Sequence, residues 1–543
     1  MISLLTKLPA DWPAYGIYLL VALAVMLPLL TPGFILTLDM VFTPVLRMPD
    51  SVTSSYLFHA ALHILNLVIP SEVLEKGLLL GILLLASIGM HRLLRLFLPR
   101  QQPGEWGTYI ASIFFIINPY TYSRFMAGQY SVLLGYALLP WFVRQAIAFG
   151  HKPGIVAALK LSVLVSVIAT VSIHTLGEVA ILAAIALGLA LGQRRTGLRA
   201  YGRYSIAAGA VFMVCCGFWL IPLAMGQGKV AATVQSFSAA DTQAFATAGG
   251  SLIGKTGNVL RLQGFWAEDR GLYLLPQERT MLWGLMALAI ITLVVIGAVA
   301  MWRSRPTPML LFATSGVAGI IVAVGFMGGL LGHAGYREPH KFVGLLALSY
   351  SVFLAYGINS TLKWLRHKTK ILYVAGAVTL LLLPLSFTRV MFWGFDGQLT
   401  PRHYPPGWQA ANTQLDKDQD NFSVLMLPWH QYMTYQFAGR IIAPPGPGFF
   451  DKPVIVSQDP ELSGASGGQL SARDKSIKNI LENSNDSENF GRRLATNNIK
   501  YILLAKEVDY SQYADLVMAH PELQLVHDYS DIALYKNTEW RKN

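Results

Sequence analysis

Eleven apolar runs, most of them near the length that crosses a bilayer, fill the first 393 residues, and no other feature limits the possible folds as strongly. In hydrocarbon each backbone amide and carbonyl must be satisfied within its own segment, so such runs are expected as helices. They fall at 14–35, 76–97, 106–119, 130–149, 154–172, 175–192, 204–225, 280–302, 308–331, 342–361 and 371–393, the third being short and the sixth carrying Glu178. Composition agrees: 13% of residues are charged, against about 25% in soluble domains. The first run exceeds the core of about 7–15 residues found in signal peptides, and no clear small-residue cleavage site follows it, so it reads as a retained span. Cys215 and Cys216, the only cysteines, are adjacent inside an apolar run and offer no disulfide framework to an exported part.

A net charge of +12 suits either nucleic acid or membrane topology, and the positions of the charges decide. Arg92, Arg95 and Arg100 follow the second run, Arg144 and Lys152 the fourth, and Arg194, Arg195, Arg199 and Arg203 the sixth. Arg303 and Arg305 follow the eighth, and Lys363, Arg366, Lys368 and Lys370 the tenth, whereas the alternate connections are poor in Lys and Arg. A cytoplasmic amino terminus and an extracytoplasmic carboxy terminus in a plasma membrane are therefore expected, with the bilayer as partner and no nucleic acid. The outer side then receives the loop 36–75, the segment 120–129, His174, the loop 226–279, the turn 333–341 and everything after about 394.

Residues 394–543 are polar enough for a soluble α/β domain beside the transmembrane domain 1–393. Strands are expected at 421–428 and 499–506, a hairpin at 523–537 over Tyr529-Ser530-Asp531, and amphipathic helices within 471–498. Prolines and glycines make 443–453 a loop. GGSLIGKT at 249–256 has the spacing of a phosphate-binding loop, but no βαβ unit frames it; a flexible loop is expected there.

Asp39, in TPGFILTLDMVFTP just after the first run, is the first residue that could carry chemistry. A carboxylate in hydrocarbon costs several kcal/mol or neutralises itself. Asp39 is therefore an interfacial acid in headgroup water, a cap for VFTPVLRM, or a general base or metal ligand in a cavity.

PGFILTLDMVFTP, NPYTYSRFMAGQYSVLLGYALLPW (118–141) and YREPHKF (336–342), with the span count, alternating loop charges and exported C-terminal domain, resemble the GT-C superfamily of membrane glycosyltransferases. The similarity is to the branch that includes arabinofuranosyltransferases and YfhO-like membrane proteins. It implies transfer of a sugar from a polyprenyl-phosphate donor to an extracytoplasmic glycan, lipid or protein acceptor. Many members carry two adjacent acids in the first loop; here one stands there, with Asp50 eleven residues on, so a divalent metal is an open question.

Under that resemblance Asp39 is the base for an inverting transfer, because a carboxylate within reach of the acceptor hydroxyl can take its proton. The leaving phosphate calls for cations, which Arg337, His340 and Lys341 would supply, with Arg124 as a further candidate. Alternatively the first three contact headgroups or pair with Glu338, and Arg124 belongs to the interfacial belt. His174 and Glu178, at i and i+4, share a helix face and serve a metal, a proton relay or simply the helix. Trp266, Glu268 and Asp269, with Arg270, suit acceptor sugar or an interfacial helix; Trp429 and His430, just after a strand, face the membrane cavity or a core. A flippase of lipid-linked glycans would place charges at mid-span in two matching halves, which this sequence does not show. An O-antigen-type polymerase would rely on outer arginines without Asp39.

Overall fold

The computed structural model of the protein describes residues 11–98, 106–192, 198–236, 239–325, 337–459, 471–484 and 489–542. Arg100, Arg194 and Arg195, the end of the ninth run and residues 333–336 of the turn 333–341 lie outside them. Among the described residues nine helices are long and apolar enough to cross a membrane, and the chain is a multi-pass membrane protein.

The helices used below are α1 (Trp12–Met26), α2 (Ser71–Leu94), α3 (Trp106–Ile116), α4 (Pro119–Met126), α5 (Tyr130–His151), α6 (Ile155–Val171), α7 (Ile173–Gly192) and α8 (Leu198–Ala224). They continue as α9 (Leu252–Leu260), α10 (Trp283–Ser304), α11 (Pro306–Ala323), α12 (Val343–Arg366) and α13 (Lys370–Phe387). Helices occupy all eleven expected places; a 3-10 turn, Leu27–Leu30, lengthens α1 to a 19-residue span, but two others are short. Helix α6 has 17 residues. Helix α3 has 11, about 16 Å of rise and half a hydrocarbon core. The sequence explains the early stop: the Asn118 side-chain amide donates to the carbonyls of Phe114 and Phe115, each at 3.0 Å, while its oxygen caps α4 at the Thr121 amide. Glu178 sits in a full-length α7, its carboxylate packed against Gly344 in the first turn of α12.

Helix α12 is the axis of the bundle, with every residue from Val343 to Ile358 buried. Lipid tails are as apolar as Leu, so helices in a bilayer gain most where small residues let backbones touch. A Cβ added at Gly297 of α10 would lie 1.7 Å from the Phe353 carbonyl oxygen, and one at Gly357 of α12 would lie 2.0 Å from that of Leu293. Gly107 of α3 approaches Ala355 in the same way, at 2.2 Å, and Gly319 of α11 approaches Phe342 at 2.8 Å. Three helices thus grip α12, two of them along its middle and α11 at the amino-terminal end that residues 337–342 lead into.

The C-terminal part contains the expected strands β1 (Ser423–Leu427), β5 (Ile499–Ala505), β6 (Leu523–Asp528) and β7 (Ile532–Asn537). With β4 (Val454–Ile455) they form one sheet in the order β4-β1-β5-β7-β6, parallel across β4, β1 and β5 and antiparallel beyond. A separate hairpin, β2 (Met433–Tyr435) and β3 (Arg440–Ile442), reaches toward the membrane helices. The segment 471–498 yields helices Ala472–Glu482 and Phe490–Thr496, with 485–488 outside the described residues.

Two expected loops contain helix. Gly446–Phe449 makes one turn within 443–453, since Pro447 stands in the first turn, where its missing amide hydrogen costs nothing. In GGSLIGKTGN, Gly249 and Gly250 take positive φ, and Ser251 then caps α9 by accepting the Gly254 amide at 3.1 Å. That cap outweighs the later glycines, and no strand precedes the helix.

The Gly297 contact gives a direct check. Gly297→Ala should lower the thermal unfolding midpoint in detergent, at about 1–3 kcal/mol or more for a methyl driven into backbone. Gly284→Ala in the same helix, where nothing lies within 4 Å, should leave it unchanged or raise it. Equal midpoints for the two variants would refute the packing account.

Candidate functional site

A cavity of about 310 Å³ opens at the end of the bundle where α5, α7 and α12 begin, and the C-terminal part closes over it. Asp39, Gln129, His174, Arg337, Glu338 and Lys341 face into it, with Phe245 and Trp266 on one wall and Gln431 and Tyr432 on another. Larger clefts of about 500 and 560 Å³ lie between helices elsewhere, but apolar side chains dominate their lining. Convergence of ionisable groups, not size, marks the candidate site.

The backbone fixes Asp39 from several sides. Thr37 and Met40 exchange backbone hydrogen bonds of 3.0 and 2.7 Å, closing a tight turn, and the Asp39 amide donates to the Ala127 carbonyl at 3.2 Å. Gly128, with φ of +70°, has to be glycine: a Cβ there would come 2.3 Å from the Met40 nitrogen and the Thr37 oxygen. Upstream, the Gly33 amide donates to Glu72 Oε2 at 2.6 Å and the Ile35 amide to Glu75 Oε2 at 2.9 Å, so α2 anchors the start of the loop. Residues 41–48 are not helical, so Asp39 caps no helix.

Register places a second residue beside the acid. Leu38 pairs in parallel with Ile442 of β3, through the Leu38 amide to Ile441 at 3.2 Å and the Ala443 amide to Leu38 at 2.9 Å. Ile442 is also paired with Met433 of antiparallel β2. β3 thus lies between Leu38 and β2, and the turn that carries Asp39 meets Tyr432, the residue just before β2, beside the end of β3. The Tyr432 hydroxyl donates to Asp39 Oδ1 at 2.6 Å, and Gln129 Nε2 reaches Oδ2 at 3.4 Å. Asp39 keeps surface open to the cavity, yet the protein packed around it still pushes its carboxyl above the ordinary carboxylate range; the Tyr432 hydrogen bond opposes this and the nearby Glu338 charge adds to it.

Opposite Asp39 the cations are organised by Glu338, which holds a left-handed backbone at φ 55°, ψ 62°. Its Oε2 receives Lys341 Nζ at 2.9 Å, Gln129 Nε2 at 3.0 Å and Arg124 Nη1 at 3.5 Å. Burial alone would raise the Glu338 carboxyl, but Lys341, Arg124 and Arg337 together hold it well below the usual range. Arg124 has no exposed surface; it donates to Gln129 Oε1 at 2.6 Å and to His340 Nδ1, and lies 4.2 Å from the Phe265 ring centre. Arg337 lies 4.8 Å from the ring centre of Phe245, and His174 hydrogen-bonds its backbone.

Of the residues singled out from sequence, Asp39, Arg337, Lys341, Glu338, His174 and Trp266 line this cavity. Arg124 and His340 do not: they are buried beneath it and bound to each other. Glu178 shares the face of His174 but lies against Gly344 of α12, outside the cavity lining. Glu268 accepts the Gly264 amide at 2.8 Å and shapes its own loop, and burial pushes its carboxyl up to about 7. Asp269 points to solvent. Trp429 packs in the core of the sheet, and His430 pairs with Asp509 at 3.2 Å. The segment LPWHQY does reach the cavity, through Gln431 and Tyr432 instead. Gln129, Phe245 and Tyr432 carry no sequence signal beyond lying on segments assigned to the outer face. Among the described residues no three His, Cys, Asp or Glu converge on one point, and Glu338 is already engaged by cations.

No protein-family model and no curated protein matches the chain. Solved structures do: the cryo-EM structure of arabinofuranosyltransferase AftD from Mycobacteria superposes over 98% of this chain and 40% of its own, with a TM-score of 0.62 at 16% identity. A mutant of that enzyme, class 2, matches over 97% and 42%, with a TM-score of 0.64 at 15% identity. The chain spans about two fifths of the length of these structures. It shares their fold.

An acid held below its unfolded pKa stabilises the protein fully above that unfolded value, about 4.3 for Glu, and the contribution fades as pH falls through the folded value. Glu338→Gln should therefore flatten the acid limb of unfolding midpoint against pH below about 4.3. At neutral pH it should cost about 3–5 kcal/mol, because buried Arg124 and Lys341 lose their counter-charge. A variant with wild-type midpoints at both pH values would remove Glu338 from the centre of the network.

Proposed function

We propose that the protein is a membrane glycosyltransferase that moves a sugar from a polyprenyl-phosphate donor to an extracytoplasmic glycan, lipid or protein acceptor. The observation that carries this reading is a single carboxylate, Asp39, sharing one cavity with Arg337 and Lys341, in a chain with the fold of a membrane arabinofuranosyltransferase. The alternating basic clusters assign this end of the bundle to the outer face. There no nucleotide sugar is at hand, and a lipid-linked donor reaches the site from the bilayer.

In the proposed reaction the acceptor hydroxyl gives its proton to the Asp39 carboxylate as its oxygen attacks the anomeric carbon. The bond from that carbon to the phosphate oxygen breaks with its electron pair on oxygen, and the configuration inverts. The phosphate needs no proton to leave; it needs positive charge, which Arg337 offers as a planar fork and Lys341 as a point charge. Developing positive charge on the sugar is eased by the same Asp39 anion. Trp266 supplies a flat apolar wall for a sugar face, and His174 steadies the Arg337 backbone. Arg124 and His340 act one layer below, by holding Glu338 and Gln129 in place.

Purified protein given labelled polyprenyl-phosphate monosaccharides should transfer sugar, and Asp39→Asn should lose about 10²–10⁴ in rate, the usual worth of a general base. Arg337→Ala should mainly raise KM for the donor. Wild-type transfer by Asp39→Asn would sink the base assignment, and absence of transfer from any monosaccharide carrier would favour a polymerase or flippase.

A further inference from the structure

The two oxygens of Asp39 are not equivalent. Oδ1 is held by the Tyr432 hydroxyl at 2.6 Å, whereas Oδ2 has only Gln129 Nε2 at 3.4 Å. That amide group is shared: it lies closer to Glu338, at 3.0 Å, and its own oxygen is pinned by Arg124 at 2.6 Å, so it cannot turn toward Asp39. We infer that Tyr432 is a positioning residue: it occupies Oδ1, leaves Oδ2 as the atom that receives the acceptor's proton, and makes the C-terminal domain complete a site built by the membrane helices.

The backbone makes this contact specific. Leu38, Ile442 and Met433 lie in one row with β3 in the middle, so Tyr432, just before β2, reaches the turn of Asp39 from the far side of β3. A phenol long enough to span the intervening strand meets a short side chain that points at it. Serine or threonine at 432 would fall short, and phenylalanine would keep the packing without the donor.

The contact also sets the pH range over which Asp39 is an anion. The titratable and charged groups that share the cavity with the acid are Tyr432, Tyr130, His174, Glu338, Lys341 and Arg337, with Gln129, Ser131 and Gln431 as the neutral polar ones. The protein packed around it and the Glu338 charge favour the protonated carboxyl; the Tyr432 hydroxyl is the largest influence favouring the anion, ahead of Lys341 and Gln129. Removing the hydroxyl therefore raises the pH at which Asp39 ionises, and strengthening it as a donor lowers that pH.

The proposal rests on Asp39 as base only for its kinetic consequence, so two readouts are used. The first needs no substrate. Dicyclohexylcarbodiimide modifies protonated carboxyls, and mass spectrometry of the peptide containing Asp39, from protein in detergent micelles, follows labelling against pH. The midpoint should move upward in Tyr432→Phe, less far in Gln129→Leu, and downward in Tyr432→3-fluorotyrosine, which keeps the fold and sharpens the donor. Coincident curves for the wild type and both Tyr432 variants would overturn the proposal. The second readout is sugar transfer: Tyr432→Phe should lose turnover at neutral pH and recover it as pH rises, with donor KM unchanged, whereas loss equal at every pH would mean a merely structural contact. If Asp39→Asn transfers sugar normally, the base reading falls, while the labelling result still decides the contact.

Discussion

A guanidinium sealed from water must be satisfied from within, and meeting the needs of Arg124 arranges most of what surrounds the cavity. An unpaired buried charge costs several kcal/mol, so the fold holds only when partners are brought to it. Arg124 leaves α4, a helix that exists because Asn118 ends α3 early. It binds Gln129 in the following turn, Glu338 and His340 ahead of α12, and the face of Phe265. Three segments far apart in sequence, 124–129, 265 and 338–340, are thereby drawn to one point. Glu338, with its left-handed backbone, is the complementary anion, and the same oxygen that answers Arg124 also holds Lys341.

Rigid support explains how groups on loops can be placed well enough for chemistry. Residues 337–342 are loop by sequence, but they lead into the most deeply buried helix of the bundle, gripped through Gly297, Gly357, Gly107 and Gly319. The Asp39 loop has no helix of its own; it is held by backbone bonds to the 127–128 turn and to β3, and by two carboxylates of α2. The acid is thus fixed jointly by membrane helices and the C-terminal hairpin, and the cations by α12.

Much of the fold could be read from the chain because the periodicities are strong. Apolar runs in lipid leave helix as the only solution, and short alternating runs in the last 150 residues became the main sheet strands. Asp39, Arg337 and Lys341 stood out because a charge beside an apolar run on the arginine-poor side needs a reason. Arg124 showed the limit: a sequence places it at the interface among tyrosines, but whether a guanidinium faces headgroups or a sealed interior depends on Gln129 and Glu338 arriving from elsewhere. In LPWHQY, Trp429 and His430 are the conspicuous residues, yet Tyr432 is the one that reaches the acid, for the same cause. Which residues after a strand turn toward a cavity is set by register with β3 and Leu38, a pairing across some four hundred residues of chain. Ser251 shows a smaller failure, where one hydroxyl at a helix start overruled the local excess of glycine.

Charge balance connects the buried network with the proposed chemistry. Arg124, Arg337 and Lys341 face Glu338 and an ionised Asp39, so with neutral histidines the cluster holds one uncompensated positive charge. A sugar joined to its carrier through a phosphodiester brings one negative charge, and its arrival brings the sum to zero. Were Glu338 absent, the surplus would be larger and phosphate would bind more tightly, but the product phosphate, with more charge still, would gain most. A carboxylate placed on Lys341 at 2.9 Å therefore weakens the hold on the product more than the hold on the donor. An anion inside a phosphate site is puzzling if affinity is the aim; it makes physical sense if the site must also let the phosphate go.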